Sequence, residues 1–404
     1  MPWEATTMLE ARARFIAAWV DPEVAVPFAE LCRSFHISRP TGYKWLRRWE
    51  QEPELGFADR SRAPAGHPNA VPEALVEEIL ACRAQHPSWG PRKLVAALRR
   101  LAPDEPWPVA STVGALLQRR GLTRPHRRRD RLGGAPPLPL TEPTGCNEVW
   151  AVDFKGHFAL RAGPRCHPLT ITDSYSRALL RCQALPREDY AAAQPVFIGA
   201  FREFGLPAVI RSDNGPPFAA SGHGLTNLTR LSAWWLRLGI RPERIAPAHP
   251  EQNGRHERLH GTLKAEATRP PQRNLPAQQL EFDRFRHEYN WERPHEGIGY
   301  QVPADLYVRS PRPYPAVLPE LAYPAAMTVR QVRNTGYFRW RGSLIFLSEA
   351  LAGEPVGLLP LDDRHWAVYY SCAALAILDD ATGRWLPPTT AAPYLSQARA
   401  ARQL

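Results

Sequence analysis

Three acidic residues occupy positions where a carboxylate can do chemistry. Asp153 sits in "WAVDFKG" (150–156), inside an apolar, strand-like run. A carboxylate facing inward on such a strand is costly unless it is paired, protonated or bound to metal. Asp213 sits in "RSDNGPPF" (211–218), just past a short apolar run, and sheet ends are where α/β domains place ligands. Glu257 sits in "HPEQNGRHERLHGTLK" (249–264), within the first turn or so of a helix that begins near Gly254. Three carboxylates from separate elements suit hard, oxygen-loving cations such as Mg²⁺, with Mn²⁺ as a substitute. Two such ions about 4 Å apart activate an attacking oxygen and stabilise a leaving one at a phosphodiester, without a protein nucleophile. Each acid alone has a plainer reading: Asp213 as a turn former before Asn-Gly, Asp153 as a paired structural acid, Glu257 as a helix-surface charge. The combination carries the signal.

The same stretch spells a second chemistry. His256, Glu257 and His260 form a literal H-E-x-x-H, with the two histidines on one helix face. A zinc peptidase would use Glu257 as general base and needs a third protein ligand. His249 and Glu251 lie upstream, whereas such sites take the third ligand from downstream. The pattern also starts two residues after Gly254, without the long apolar helix that buries such sites.

The elements that must hold these residues read as a mixed α/β domain over 146–310. Three strands lie in 147–185, with a turn at Asp173-Ser174. A helix over 188–205 ends at Gly205, and a short strand over 207–212 leads to Asp213. A helix over 225–240, an extended segment and the helix from Gly254 complete it. A further helix from about 275 precedes a wrapping segment to 307. Short alternating runs with turns at Asn334-Thr335-Gly336, Asp362-Asp363 and Asp379-Asp380 predict a small β-barrel or meander over 322–390.

The first 120 residues read as short helices. "VPFAELCRSF" and "TGYKWLRRW" predict a helix-turn-helix within 1–60, with Trp45 and Trp49 inward and Thr41, Tyr43, Lys44 and Arg47 toward DNA. A second helical module covers 70–122, with Pro91 in the first turn of its middle helix and Ser111 or Thr112 capping its third. Residues 123–145 are a basic, Gly- and Pro-rich linker in which Arg127, Arg128 and Arg129 are candidates for DNA phosphates. The net charge of +11 favours a polyanionic partner. No apolar run approaches the roughly 18 residues of a membrane span. The six cysteines form no CxxC pair, which fits a reduced cytosolic setting.

"WAVDFKG", "RSDNGPPF" and "PEQNGRHERLHGTLK" together resemble, in order, the three acidic motifs of the retroviral-integrase-like superfamily. The likeness is to bacterial insertion-sequence transposases with an integrase-type core. "YNWERPHEGIGYQVPADLY" (289–307), the tandem helical modules and "RWRGSLIFLSEALAGEPVGL" (339–358) extend it over most of the chain.

The resemblance implies a ribonuclease-H-like core and a metal-dependent DNA transposase. Asp153, Asp213 and Glu257 would be both the catalytic acids and the ligands of two Mg²⁺ ions. Glu257, not Glu251, fits the spacing from Pro250 and Gly254. Lys264, two helical turns beyond Glu257, would hold DNA near the metals, and Gln252 and Asn253 would lie in the loop beside the substrate. The implied partners are double-stranded DNA, as terminal inverted repeats and as target, and further copies of the chain on that DNA. The implied setting is the bacterial cytoplasm, at the nucleoid, with no membrane. A domesticated or catalytically silent DNA-binding regulator is the alternative. The gap between Asp213 and Glu257 is longer than the family usually shows. The excess falls in "AASGHGLTN" (219–227), the kind of insertion a surface loop tolerates.

Overall fold

The structure, a computed structural model, describes residues 7–23, 26–53, 57, 59, 70–123, 140–219, 228–246, 252 and 254–401. It divides into two compact units, Met1–Pro72 and Glu73–Leu404.

The first unit holds α1 (Met8–Val20), α2 (Phe28–Ser34) and α3 (Arg39–Gln51). Helix α1 has no counterpart among the sequence expectations; Thr7 and Glu10 start it with a reciprocal capping box. Phe15, Ile16, Phe28, Leu31, Cys32 and Trp45 close the core. Gly42 permits close contact between α2 and α3, since a Cβ there would stand 2.7 Å from Cys32 Sγ.

The second unit begins with α4 (Glu73–Gln85), α5 (Pro91–Leu101) and α6 (Ala110–Arg119). Gly90 caps α5, with Pro91 in its first turn. The N-cap of α6 is Val109, which makes no side-chain capping bond, so Ser111 and Thr112 fall inside the helix instead of capping it. His86 pairs with Glu288, Ser88 donates to Glu266 and Arg100 pairs with Asp305, which tie these helices to the rest of the unit.

Next come β1 (Val149–Phe154), β2 (Phe158–Ala159), β3 (Arg165–Asp173), β4 (Leu179–Leu185), α7 (Tyr190–Phe204), β5 (Val209–Ser212), α8 (Arg230–Arg237), β6 (Arg241–Arg244), α9 (Gly254–Glu266), α10 (Leu275–Trp291) and α11 (Pro303–Leu306). The strands lie in the order β4–β3–β1–β5–β6, and β2 also pairs with β3. β1 runs antiparallel to β3 and parallel to β5. Asp189 caps α7 and Gly205, at φ 80°, ends it.

Strand alternation sends Trp150 and Val152 to one face, into a core with Phe197, Phe201 and Trp235 from α7 and α8. The opposite face packs Cys166, Leu179 and Cys182 against Leu259, Leu263 and Phe282 from α9 and α10. Asp153, one residue out of phase with Trp150 and Val152, faces this second layer.

The last segment carries β7 (Thr328–Gln331), β8 (Tyr337–Trp340), β9 (Ser343–Phe346), β10 (Pro355–Pro360), β11 (His365–Tyr370), β12 (Ala373–Asp379), β13 (Arg384–Trp385) and α12 (Pro388–Ala401). The expected small β-barrel is not closed. Five strands form an open antiparallel sheet, β13–β12–β11–β10–β7, and β8–β9 stand apart as a hairpin. Closure is not needed, because both faces are already covered. Val356, Leu358, Val368 and Tyr370 pack with Phe338 and Trp340 of the hairpin and Leu236 of α8. Ala367, Tyr369 and Ile377 pack under Ala391 and Ala398 of α12. The hairpin breaks a run that reads as one strand: Arg341 (φ 43°) and Gly342 (φ 87°) are both left-handed, the signature of a tight two-residue turn. No described helix is long and apolar enough to cross a membrane.

Candidate active site

Two of the three acids lie at the ends of neighbouring parallel strands. β1 and β5 pair as Val149↔Val209, Trp150↔Ile210 and Ala151↔Arg211. Asp153 lies two residues beyond the last of these pairs on β1, and Asp213 lies one residue past the end of β5. Asp213 Oδ1 is buried and has no hydrogen-bond partner. Burial pushes the Asp213 carboxyl up, the Gly215 N–H bond offsets part of that, and the nearby Glu188 charge adds to it. Gly215 is itself constrained, since a Cβ there would stand 2.9 Å from Asp213 Oδ2. An orphaned carboxylate oxygen is a donor that suits a hard divalent cation.

The third acid arrives on α9. His256, Leu259, His260 and Leu263 recur at helical spacing and form its buried face. Both histidines reach Thr170 on β3: His256 Nε2 and His260 Nε2 each lie 2.8 Å from Thr170 Oγ1. Thr170 is the cross-strand partner of Asp153. Glu257, one turn before His260, and Lys264 lie on the flank beside this face and are exposed. The three carboxylates are not drawn into a tight cluster. Among the described residues, the group whose ligand atoms all lie within 4.8 Å of one another is His157, His167 and Glu188. There Arg165 donates to His157 Nε2 at 2.8 Å and His167 Nδ1 meets Glu188 Oε1 at 2.8 Å.

The peptidase spelling has no matching geometry. His256 and His260 are buried, and burial pushes the first down to about 4 and the second down to about 2, with His256 and Lys155 adding to the second shift. Their Nε2 atoms are turned into the sheet and taken up by Thr170, away from the exposed Glu257.

Other sequence candidates fall as follows. Gln252 is half-buried and accepts from Ala246 N–H at 2.6 Å, so it closes the loop before α9. Asn253, Glu251, Arg127, Arg128 and Arg129 lie outside the described residues, as does most of the 219–227 insertion. On α3, Tyr43, Lys44 and Arg47 are exposed, and Tyr43 stacks on Phe28 at 4.3 Å. Thr41 is half-buried and engaged with Ser38, Oγ1 to Oγ at 2.9 Å, at the helix start. Trp45 is buried and Trp49 packs against the same core.

Sequence reasoning missed a second group. Lys93, Arg177, Arg255, Arg258 and Arg293 line one cavity of about 300 Å³ on the flank of α9 away from Glu257. Arg255 and Arg258 stand in the motif stretch itself, at a spacing that puts them on one side of the helix. That was the available signal.

Comparison with known proteins falls in line with this architecture. Residues 143–250 and 238–303 match models of the integrase core domain, and residues 41–117 match a homeodomain-like domain. Over these segments the chain is similar to an integrase core preceded by a homeodomain-like region, and its likeness to bacterial insertion-element proteins holds. It is 26% identical over 185 residues to an uncharacterized 31.7 kDa protein of insertion element IS407 from Burkholderia multivorans, covering 45% of this chain and 64% of that one. It is 25% identical over 240 residues to an uncharacterized 39.2 kDa protein of insertion element IS476 from Xanthomonas euvesicatoria, covering 59% and 66%. The chain spans just under two thirds of the length of these curated relatives.

Among solved structures, the HTLV-2 integrase catalytic core domain in complex with magnesium is 18% identical, covering 41% of this chain and 99% of that chain, with a TM-score of 0.32. A simian T-cell lymphotropic virus intasome in complex with PP2A regulatory subunit B56 gamma is 17% identical, covering 77% and 99%, with a TM-score of 0.36.

Proposed function

We propose that the chain is a DNA transposase that cleaves a phosphodiester at the ends of its element and directs the exposed 3′-OH into target DNA. The observation that carries this reading is the buried Asp213 oxygen without a hydrogen-bond partner, just past the end of β5, the strand that runs parallel to the Asp153 strand β1. Asp153, Asp213 and Glu257 would hold the divalent ions, Mg²⁺ or Mn²⁺, with two ions expected. Bound there, the ions supply activation of the attacking oxygen and charge stabilisation at the leaving one. The protein's own part is positional. The ends of β1 and β5 would position two carboxylates, and the buried histidine face of α9 would set the flank that carries Glu257. Lys264, exposed on the same flank two turns on, would hold the DNA backbone.

The exposed Tyr43, Lys44 and Arg47 of α3, with Thr41 at its start, support end recognition by the N-terminal module. Gln252 and Asn253, with the linker arginines Arg127, Arg128 and Arg129, are proposed as further DNA contacts. Joining two element ends calls for more than one copy of the chain on DNA. The domain limits proposed are 1–60, 70–122, 123–145, 146–310 and 322–390.

Purified protein mixed with pre-cut element ends, target DNA and Mg²⁺ tests the reading. Strand-transfer products are expected from the wild type and none from Asp153→Asn or Asp213→Asn, with DNA binding kept by both. Products that persist in either variant, or peptide hydrolysis stopped by a zinc chelator, would overturn it.

A further inference from the structure

The cavity beside α9 gathers more positive charge than its surroundings neutralise. Arg177 comes from the β3–β4 turn, Arg255 and Arg258 from α9, Lys93 from α5 and Arg293 from the segment after α10. Two acids are at hand, fewer than the five cations, and Glu266 neutralises one of them, Arg293. Both oxygens of Glu266 accept from Arg293 Nη1 at 2.9 Å. Glu296 pairs with Arg92 at 3.5 Å. Among the described residues, Arg255 donates to the Ser174 carbonyl at 3.3 Å. No ion pair holds Lys93, Arg177 or Arg258 among the described residues.

Like charges held together in a recess repel, and partial burial removes the water that would screen them. Lys93 shows the strain: burial first, then Arg293, pushes its amine down to about 8. Arg177 is lowered too, by burial and then by Arg255. Arg177 also holds a left-handed backbone, φ 69°, which a non-glycine residue adopts at a cost. A cavity that concentrates unneutralised cations in this way is built for an anion. Guanidinium forks match the oxygens of a phosphate.

We propose that this cavity is a phosphate pocket that takes the backbone of a DNA strand running between α5 and α9. The cavity is contributed jointly by the helical module, through Lys93, and by the integrase core, so a seated phosphate would lock the two together on DNA. The assignment of DNA as the occupant rests on the transposase reading; the anion site itself does not.

Two measurements on the full chain test it: calorimetric titration with inorganic pyrophosphate, and equilibrium binding of a short duplex at several salt concentrations. Pyrophosphate is expected to bind the wild type and to compete with the duplex. Arg177→Gln/Arg258→Gln should weaken pyrophosphate tenfold or more and lower the salt slope of duplex binding by about one to two, since each lost phosphate contact removes about 0.9. Arg258→Gln alone is the second variant, because its side chain is exposed and carries no packing. It should lower the slope by about one.

Pyrophosphate binding that both variants keep at wild-type strength would overturn the pocket. Pyrophosphate binding that the variants lose while duplex affinity and slope stay unchanged would overturn DNA as its occupant. Asp153→Asn separates the two levels: it should leave both binding measurements unchanged while strand transfer stops. If no variant and no wild type ever transfers strands, yet Arg258→Gln loses duplex affinity, the pocket stands and the reading of the acids fails.

Discussion

His260 Nδ1 faces Asp153 Oδ2 across 3.8 Å. Its other ring nitrogen lies on Thr170 Oγ1, which also meets His256 Nε2. A hydroxyl has one proton to give. Thr170 Oγ1 gives it to the Asp153 carbonyl at 3.2 Å, so both imidazoles donate Nε2–H to Oγ1. This tautomer pattern is inferred from the network. It couples the helix that carries Glu257 to the strand that carries Asp153 through neutral, buried groups.

The first prediction concerns pH. Both imidazoles have folded-state values pushed below the ordinary 6.5, so the unfolded chain binds more protons than the folded one as the solution is acidified. Stability from this pair is full above about pH 6.5 and is lost as pH falls toward 4, with a slope of up to about 1.4 kcal/mol per pH unit for each histidine. Denaturant unfolding from pH 7 to pH 4.5 should show that loss, and His256→Gln/His260→Gln should flatten it. An equal slope in wild type and variant would remove the histidine pair as the cause.

Asp213 gives a prediction of opposite character. Its folded carboxyl is raised, mainly by burial, so the metal-free protein loses stability as pH rises through that value and the charge is forced on. Asp213→Asn should therefore be no less stable than wild type at neutral pH without metal. Added Mg²⁺ should stabilise the wild type, by about 2.7 kcal/mol at a hundredfold excess over Kd, and leave the variant unmoved. Thermal melts with and without Mg²⁺ read this directly.

Gly215→Ala probes the same carboxylate by sterics. The new Cβ would press on Asp213 Oδ2 at 2.9 Å and turn it. A displacement of that kind is expected to cut strand transfer by about 100-fold, while unfolding free energy changes by less than about 1 kcal/mol. Wild-type strand transfer in this variant would mean that Asp213 is not held in a working orientation by that contact.

On α3, Lys44→Ala and Arg47→Ala remove exposed charges; Lys44 also lies 5.2 Å over the Trp45 ring. Each should weaken binding to the element ends and lower the salt slope by about 0.9. Mobility-shift titrations at several salt concentrations measure it. An unchanged slope in both would take α3 out of the interface.

How much of this was legible in the sequence depends on how local each feature is. The cap at Gly205, the entry at Gly90-Pro91 and the apolar alternation around Asp153 are written in adjacent residues and read correctly. The parallel pairing of "VWAV" with "AVIRS" is a tertiary fact that neither run states by itself. The hairpin at Arg341–Gly342 was missed because arginine gives no hint of a left-handed turn. Of the barrel or meander expected for the C-terminal strands, the closed barrel is not found and the open meander is; α12, which covers one of its faces, is a helix the alternation pattern does not announce. The histidine pair misled in the other direction, since H-E-x-x-H says nothing about the Thr170 that takes up both rings. The basic cavity lay beyond reach because Lys93, Arg177, Arg258 and Arg293 meet only through tertiary packing.

The central claim is that Asp153, Asp213 and Glu257 act together on DNA, and strand transfer from pre-cut ends tests it most directly. With Mg²⁺ present, the account predicts wild-type product from Glu251→Gln and none from Glu257→Gln, both proteins binding the ends equally well. Product from Glu257→Gln at the wild-type rate would contradict it.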